Sequence, residues 1–123
     1  MLLALLGAEV IKVESQRRLD HARLRSLIYG PVSRGPDTSV VFNDLNLNKL
    51  GVTLDLSRPE AAELARRLVA GCDVVAQNMR PGAMEKLGLG YDALRTIKPD
   101  IIYLASSALG ATGHQREYNG YAS

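Results

Sequence analysis

The sequence predicts an α/β fold in which a parallel sheet carries flanking helices, and three observations lead to it. Gly51-Val52-Thr53-Leu54-Asp55-Leu56 alternates as a half-buried strand does, residues 59 to 69 carry a helical stripe, and Asp73-Val74-Val75-Ala76 resumes an extended apolar run. Strand, amphipathic helix and strand in that order make a βαβ unit, whose strands run parallel and whose crossover is right-handed.

Met1-Leu2-Leu3-Ala4-Leu5-Leu6 is too short to span a bilayer and lacks the basic start and cleavage pattern of a signal peptide. It reads as a core helix, cut off at its front, that Gly7 ends, and an earlier strand is expected ahead of it. Ala8 to Glu14, rich in Val and Ile, reads as a strand. Residues 15 to 38 read as a loop or short helix followed by a turn-rich loop holding Gly30, Pro31, Gly35 and Pro36. Within them Arg17, Arg18, Arg23 and Arg25 form a basic cluster. Guanidinium forks suit phosphate oxygens, although a solvated face is the commoner role of such a run.

Ser39-Val40-Val41-Phe42 is a short apolar run, and Asn46-Leu47-Asn48-Lys49 is a polar turn before the alternating strand, which sets Val52, Leu54 and Leu56 on one face. Ser57-Arg58-Pro59-Glu60 has capping-box spacing, with Pro59 harmless in the first turn. The helix is expected to bury Ala61, Leu64, Ala65, Leu68 and Val69 and to stop at Gly71. The apolar run that follows suits a strand covered on both faces. Ligands of open α/β sheets bind outside the carboxyl ends of strands, so Gln77, Asn78, Met79 and Arg80 stand where a ligand belongs, though polar residues also fill connections that bind nothing. Pro81 opens a helix of about one and a half turns that Gly88 and Gly90 break. A second short helix, with Tyr91, Leu94 and Ile97 inward, is closed by Pro99, and Asp100 to Ala105 is another buried strand. The small residues after it, Ser106 to Gly113, allow close approach of a ligand or a packed element.

With 123 residues, 46% of them hydrophobic and 23% charged, one domain is the natural count. A net charge of +2, one Phe and no Trp give little with which to stack bases, so nucleic acid is not indicated, while a small anionic ligand is compatible. Cys72 is the sole cysteine and His21 and His114 the only histidines, which leaves no disulfide and no zinc-ligand spacing and makes a reducing cytoplasm the default. Gly88-Leu89-Gly90 lies between two helices, so it is not a dinucleotide fingerprint, and neither a nucleophile elbow nor a Walker loop occurs. Ser106 and Ser107 have only His114 as a nearby base and read as structural.

Taken together, Leu6 to Glu14, Asn46 to Lys49 with Val52 to Leu56, Asn78-Met79-Arg80-Pro81-Gly82, Leu87-Gly88-Leu89-Gly90-Tyr91 and Pro99 to Tyr103 resemble the family III CoA-transferases, the CaiB/BaiF group. The resemblance implies an enzyme that moves coenzyme A between an acyl-CoA and a carboxylic acid through an aspartyl intermediate. It implies a Rossmann-like large domain plus a small domain, in two subunits that interlock as a homodimer, with no metal, membrane or nucleic acid. Residues 1–123 resemble roughly the first third of such a subunit, so the sheet is expected to be incomplete at both ends.

By resemblance, Arg23 in Asp20-His21-Ala22-Arg23 meets the CoA nucleotide, with Leu19 where the family has glycine. Leu54, Asn78, Met79, Lys86 and Leu87 match positions lining the CoA site, Met79 standing for the usual phenylalanine as an apolar cover. The nucleophilic aspartate of the family lies beyond Ser123. No catalytic residue is therefore assigned, and the chain alone is not expected to turn over substrate. Two alternatives stay open. One is part of an α-methylacyl-CoA racemase, against which Tyr121 stands where a histidine is expected. The other is a non-catalytic protein that binds CoA or a partner.

Overall fold

The computed structural model describes residues 1–24, 35–116 and 118, and its backbone divides into two compact units, Met1–Asp55 and Leu56–Ser123. The first unit begins with helix α1 (Leu2–Leu5), which ends in a Schellman motif. Gly7 takes φ 100°, and the N–H groups of Gly7 and Ala8 donate to the carbonyls of Ala4 and Leu3, as the glycine at that place predicts. Of the apolar run only Ala4 is buried, whereas Leu2, Leu3, Leu5 and Leu6 are exposed, so α1 is not the core helix that its composition suggests. Asn48, at φ 58°, donates its side-chain N–H to the Ala4 carbonyl and ties the turn before the second strand to this helix.

Strand β1 (Ile11–Glu14) pairs in parallel with β2 (Leu50–Thr53), Ile11 opposite Leu50 and Glu14 opposite Thr53. The connection between them includes a 3-10 turn (Pro36–Thr38) and helix α2 (Val40–Leu45). The Ser39 to Phe42 run is thus mostly helix. Ser39 is its N-cap: its buried hydroxyl accepts from the Phe42 N–H and donates to the Ala22 carbonyl at 2.6 Å. Residues 21–24 are helical, and Arg25 and residues 26–34 lie outside the described residues.

The second unit includes helix α3 (Pro59–Val69), whose N-cap position falls on Arg58, one residue after Ser57, and the Arg58 side chain makes no cap bond. Pro59 fixes φ at the first helical position and needs no donor there. Ala61, Ala62, Ala65 and Val69 are buried and Leu64 is exposed. The buried stripe is therefore rotated toward the small residues, which lets α3 pack closely. Strand β3 (Val74–Gln77) is followed by α4 (Ala83–Lys86), α5 (Tyr91–Ile97) and β4 (Ile102–Ala105). β3 pairs in parallel with β4, Val74 opposite Ile102 and Gln77 opposite Ala105. Each described strand thus pairs within its own unit, and both pairs are parallel as expected.

Met84, Leu89, Leu94 and Ile101 join the α3 alanines in the core of this unit. Tyr91 and Ile97, expected inward, sit at its exposed margin. Only one face of the β3–β4 pair is covered within the unit. Val75 and Tyr103 are half-buried, while Val74, Ile102 and Leu104 are exposed.

The two glycines of Gly88-Leu89-Gly90 have separate structural duties. Gly88 has φ 68° and its carbonyl accepts from Arg66 Nη1. At Gly90 a Cβ would lie 2.8 Å from the Cγ of Glu85 and 3.2 Å from its Cα, closer than real contacts allow. Gly90→Ala is expected to cost about 1–3 kcal/mol of unfolding free energy through overpacking. Gly51→Ala, where a Cβ meets nothing within 4 Å, serves as the neutral comparison in the same urea titration.

Candidate functional site

In the second unit the parallel pair brings the carboxyl ends of β3 and β4 to one edge, where a cavity of about 380 Å³ is lined by Gln77, Met79, Pro81, Gly82, Glu85, Tyr103 and Ser107 among others. The Gln77 side-chain oxygen accepts from the Met79 N–H at 2.6 Å, which fixes the first step of the loop, and Gly82 at φ 79° turns the chain into α4. Met79 itself is 40% exposed and presents an apolar thioether at the rim. Tyr103 packs its ring on Tyr91 at 6.0 Å between centroids. Its hydroxyl is buried and has no hydrogen-bond partner of good geometry. Burial first, then the Glu85 carboxylate, push the Tyr103 hydroxyl above the ordinary tyrosine range, against a weaker opposing pull from Gln77, so it stays protonated.

The first unit holds a second cavity, of about 370 Å³, bordered by Lys12, Glu14, Arg23, Phe42, Asn43, Asn46, Asn48 and Lys49 among others. Arg23 is built into its wall. Nε and Nη2 donate to the two Glu14 oxygens at 3.0 and 2.9 Å, Nη1 donates to Asp37 at 2.7 Å, and the guanidinium carbon lies 3.5 Å from the Phe42 ring centroid. A fork–fork pair stacked on an aromatic face is among the strongest polar arrangements a protein makes. Lys12 pairs with Asp20 at 2.9 Å and Glu14 at 3.5 Å. The Arg23 hydrogen bond holds the Glu14 carboxyl below its ordinary value, with Lys12 adding to the pull and burial opposing it.

The residues singled out by resemblance fall in both units. Arg23 and Leu54 belong to the first unit, Arg23 in the cavity wall and Leu54 half-buried just past β2, where its N–H donates to the Glu14 carbonyl. Asn78, Met79, Lys86 and Leu87 belong to the second unit. Met79 lines its cavity, Asn78 is exposed beside it, Lys86 is exposed at the end of α4, and Leu87 is half-buried. Glu14, Phe42 and Tyr103 went unnoticed in the sequence. A strand-end Glu nine residues before an Arg is a signal for the clamp, whereas nothing local marks an orphaned tyrosine hydroxyl. His114 is exposed, and Tyr121 lies outside the described residues.

A sequence model of CoA-transferase family III matches residues 1–123. The chain belongs to that family. Among its relatives, an acyl-CoA transferase of Fusarium pseudograminearum is 40% identical over 98% of this chain and 27% of its own length. The succinyl-CoA–L-malate CoA-transferase beta subunit of Chloroflexus aurantiacus is 40% identical over 98% of this chain and 29% of its own. A CaiB/BaiF family protein from Brucella suis superposes with a TM-score of 0.83 at 38% identity, over 97% of this chain and 31% of that structure. The chain thus spans less than a third of these family members.

Two measurements check the geometry. Glu14 is depressed in the folded state, so its contribution is present above the ordinary carboxylate value of 4.5 and is lost as pH falls below it toward the lowered folded value. Arg23→Met should shrink that acid limb, Lys12 retaining part of it, and lower stability by about 3 kcal/mol, read from urea titrations across the acid range. Tyr103→Phe should leave stability unchanged or raise it by about 1 kcal/mol, because no good bond is lost; a clear loss would show that the hydroxyl is bonded after all.

Proposed function

We propose that residues 1–123 form the N-terminal part of the large domain of a CoA-transferase that moves coenzyme A between an acyl-CoA and a carboxylic acid. The match of the whole chain to the family, at 27–31% of the length of its relatives, is the observation that carries this reading. The exposed apolar face of the β3–β4 pair supports it, since Val74, Ile102 and Leu104 are suited to burial under further chain of such a domain.

In this reading the carboxyl edge of β3 and β4 takes the pantetheine arm. A cavity of about 380 Å³ admits part of CoA, not all of it. Met79 covers the arm, Asn78 and Leu87 flank it, and the Lys86 ammonium on α4 faces its phosphates. In this reading these residues supply binding and orientation, and the attacking aspartate is supplied by another part of the enzyme. Cytoplasmic location and an interlocked homodimer complete the proposal.

Calorimetric titration of this chain with CoA tests it. Binding should be weak and should fall as salt rises, because ammonium–phosphate contacts are screened. Met79→Asp should weaken it about tenfold by setting a carboxylate in the apolar cover. With succinyl-CoA and a dicarboxylate acceptor the chain alone should show no CoA exchange; exchange at an enzymatic rate would overturn the placing of the nucleophile outside it.

A further inference from the structure

The first unit's cavity holds three cations, and they are not equivalent. Arg23 donates three of its five N–H groups to carboxylates and stacks on Phe42, and its side chain is 17% exposed. Lys12 is paired with Glu14 and Asp20 and lies 5.2 Å from the Phe42 ring centroid. Both charges are therefore balanced by protein carboxylates. A phosphate would have to displace a bidentate, largely buried partner to reach Arg23, and that exchange gains little.

Lys49 differs. Its ammonium is half-buried at the start of β2 and donates to the Asn46 side-chain oxygen at 2.8 Å. Among the described residues no carboxylate lies within ion-pair distance of it. The Met1 amino group also lies against it, held below its ordinary value by desolvation first and then by the Lys49 charge, so the nearest ionisable neighbour of Lys49 is another cation. Asn43, Asn46 and Asn48 border the same cavity, and each already uses one amide N–H on a backbone carbonyl, of Asp37, Phe42 and Ala4 respectively. Each keeps a second N–H, and those bonds hold the amides in place. The single lining carboxylate, Glu14, is engaged by Arg23 and Lys12. An unbalanced cation with fixed amide donors around a cavity of about 370 Å³ is the chemistry of an oxyanion site.

We propose that Lys49 is the residue that binds a phosphate oxyanion in this cavity, with Asn43, Asn46 and Asn48 as neutral donors, and that Arg23 is a positioning residue that builds the wall rather than a phosphate ligand. The shared ligand chemistry is a phosphate dianion, whether free or as the phosphomonoester of CoA. The inference does not depend on the CoA-binding reading, because free phosphate is a sufficient ligand.

Titration of this chain with inorganic phosphate, followed by phosphorus line width alongside thermal melts, tests it. Lys49→Gln should weaken phosphate binding about tenfold or more, the loss of one charge-assisted contact, with an unchanged melting midpoint, and Lys49→Arg should restore it. Arg23→Lys should lower the midpoint and, below it, bind phosphate within about twofold of the parent. The parent failing to bind phosphate, Lys49→Gln binding as the parent does, or Arg23→Lys losing phosphate at an unchanged midpoint would each overturn the proposal. CoA and dephospho-CoA separate the two sources. If Lys49→Gln abolishes a preference for CoA, the anion is its phosphomonoester; if it abolishes phosphate binding while neither coenzyme form binds the parent, the site takes free phosphate and the CoA reading falls alone.

Discussion

A parallel strand pair cannot be closed by a tight turn, and that constraint shapes both units. The chain must leave the carboxyl end of one strand and return to the amino end of its partner, so every crossover carries helices and both carboxyl ends meet on one edge. In the second unit the crossover is α4 and α5, and the shared edge delivers Gln77, Met79 and Ser107 to one cavity. In the first the crossover carries α2, which brings Phe42 and the asparagines to a cavity that Lys12 and Glu14 of β1 also line.

Within the first crossover the Glu14–Arg23 pair joins the end of β1 to the turn at Asp37 and to the ring of Phe42. Ser39 adds a tie of another kind, capping α2 and bonding back to Ala22. A charged pair over an aromatic ring and a buried hydroxyl with both its bonds made thus tie the end of β1, residues 22 and 23 and the start of α2 together. The same saturation explains why the Arg23 guanidinium does not present free positive charge. Arg23 has guanidinium geometry suited to phosphate, and the protein's own carboxylates occupy that geometry.

Much of the fold was legible. Gly7 at the end of α1, Pro59 at the start of α3, the β1, β2, β3 and β4 strands and the break at Gly88-Leu89-Gly90 all follow from residue-level steric preferences, which act locally and so can be read locally. The misreadings concern what lies beyond a residue's near neighbours. Leu64 fits the helical stripe, yet the alanines beside it are what α3 buries. Ser57 has the spacing of a cap, yet the helix starts after it. For the candidate site the loop after β3 was legible from the strand-end rule, and Met79 lines the cavity found there. Arg23 was legible as a cation but not as a paired one.

The sequence by itself determined the class of fold, the parallel sense of its strands and the family, because periodicity, glycine and proline placement and the order of short motifs are properties of the chain alone. Tertiary structure decided which strands pair, which face of each is covered and which cations stay unbalanced. Those outcomes depend on groups far apart in sequence, as when Glu14 and Asp37 reach Arg23 while, among the described residues, no carboxylate reaches Lys49, and no local pattern encodes a distance of that kind.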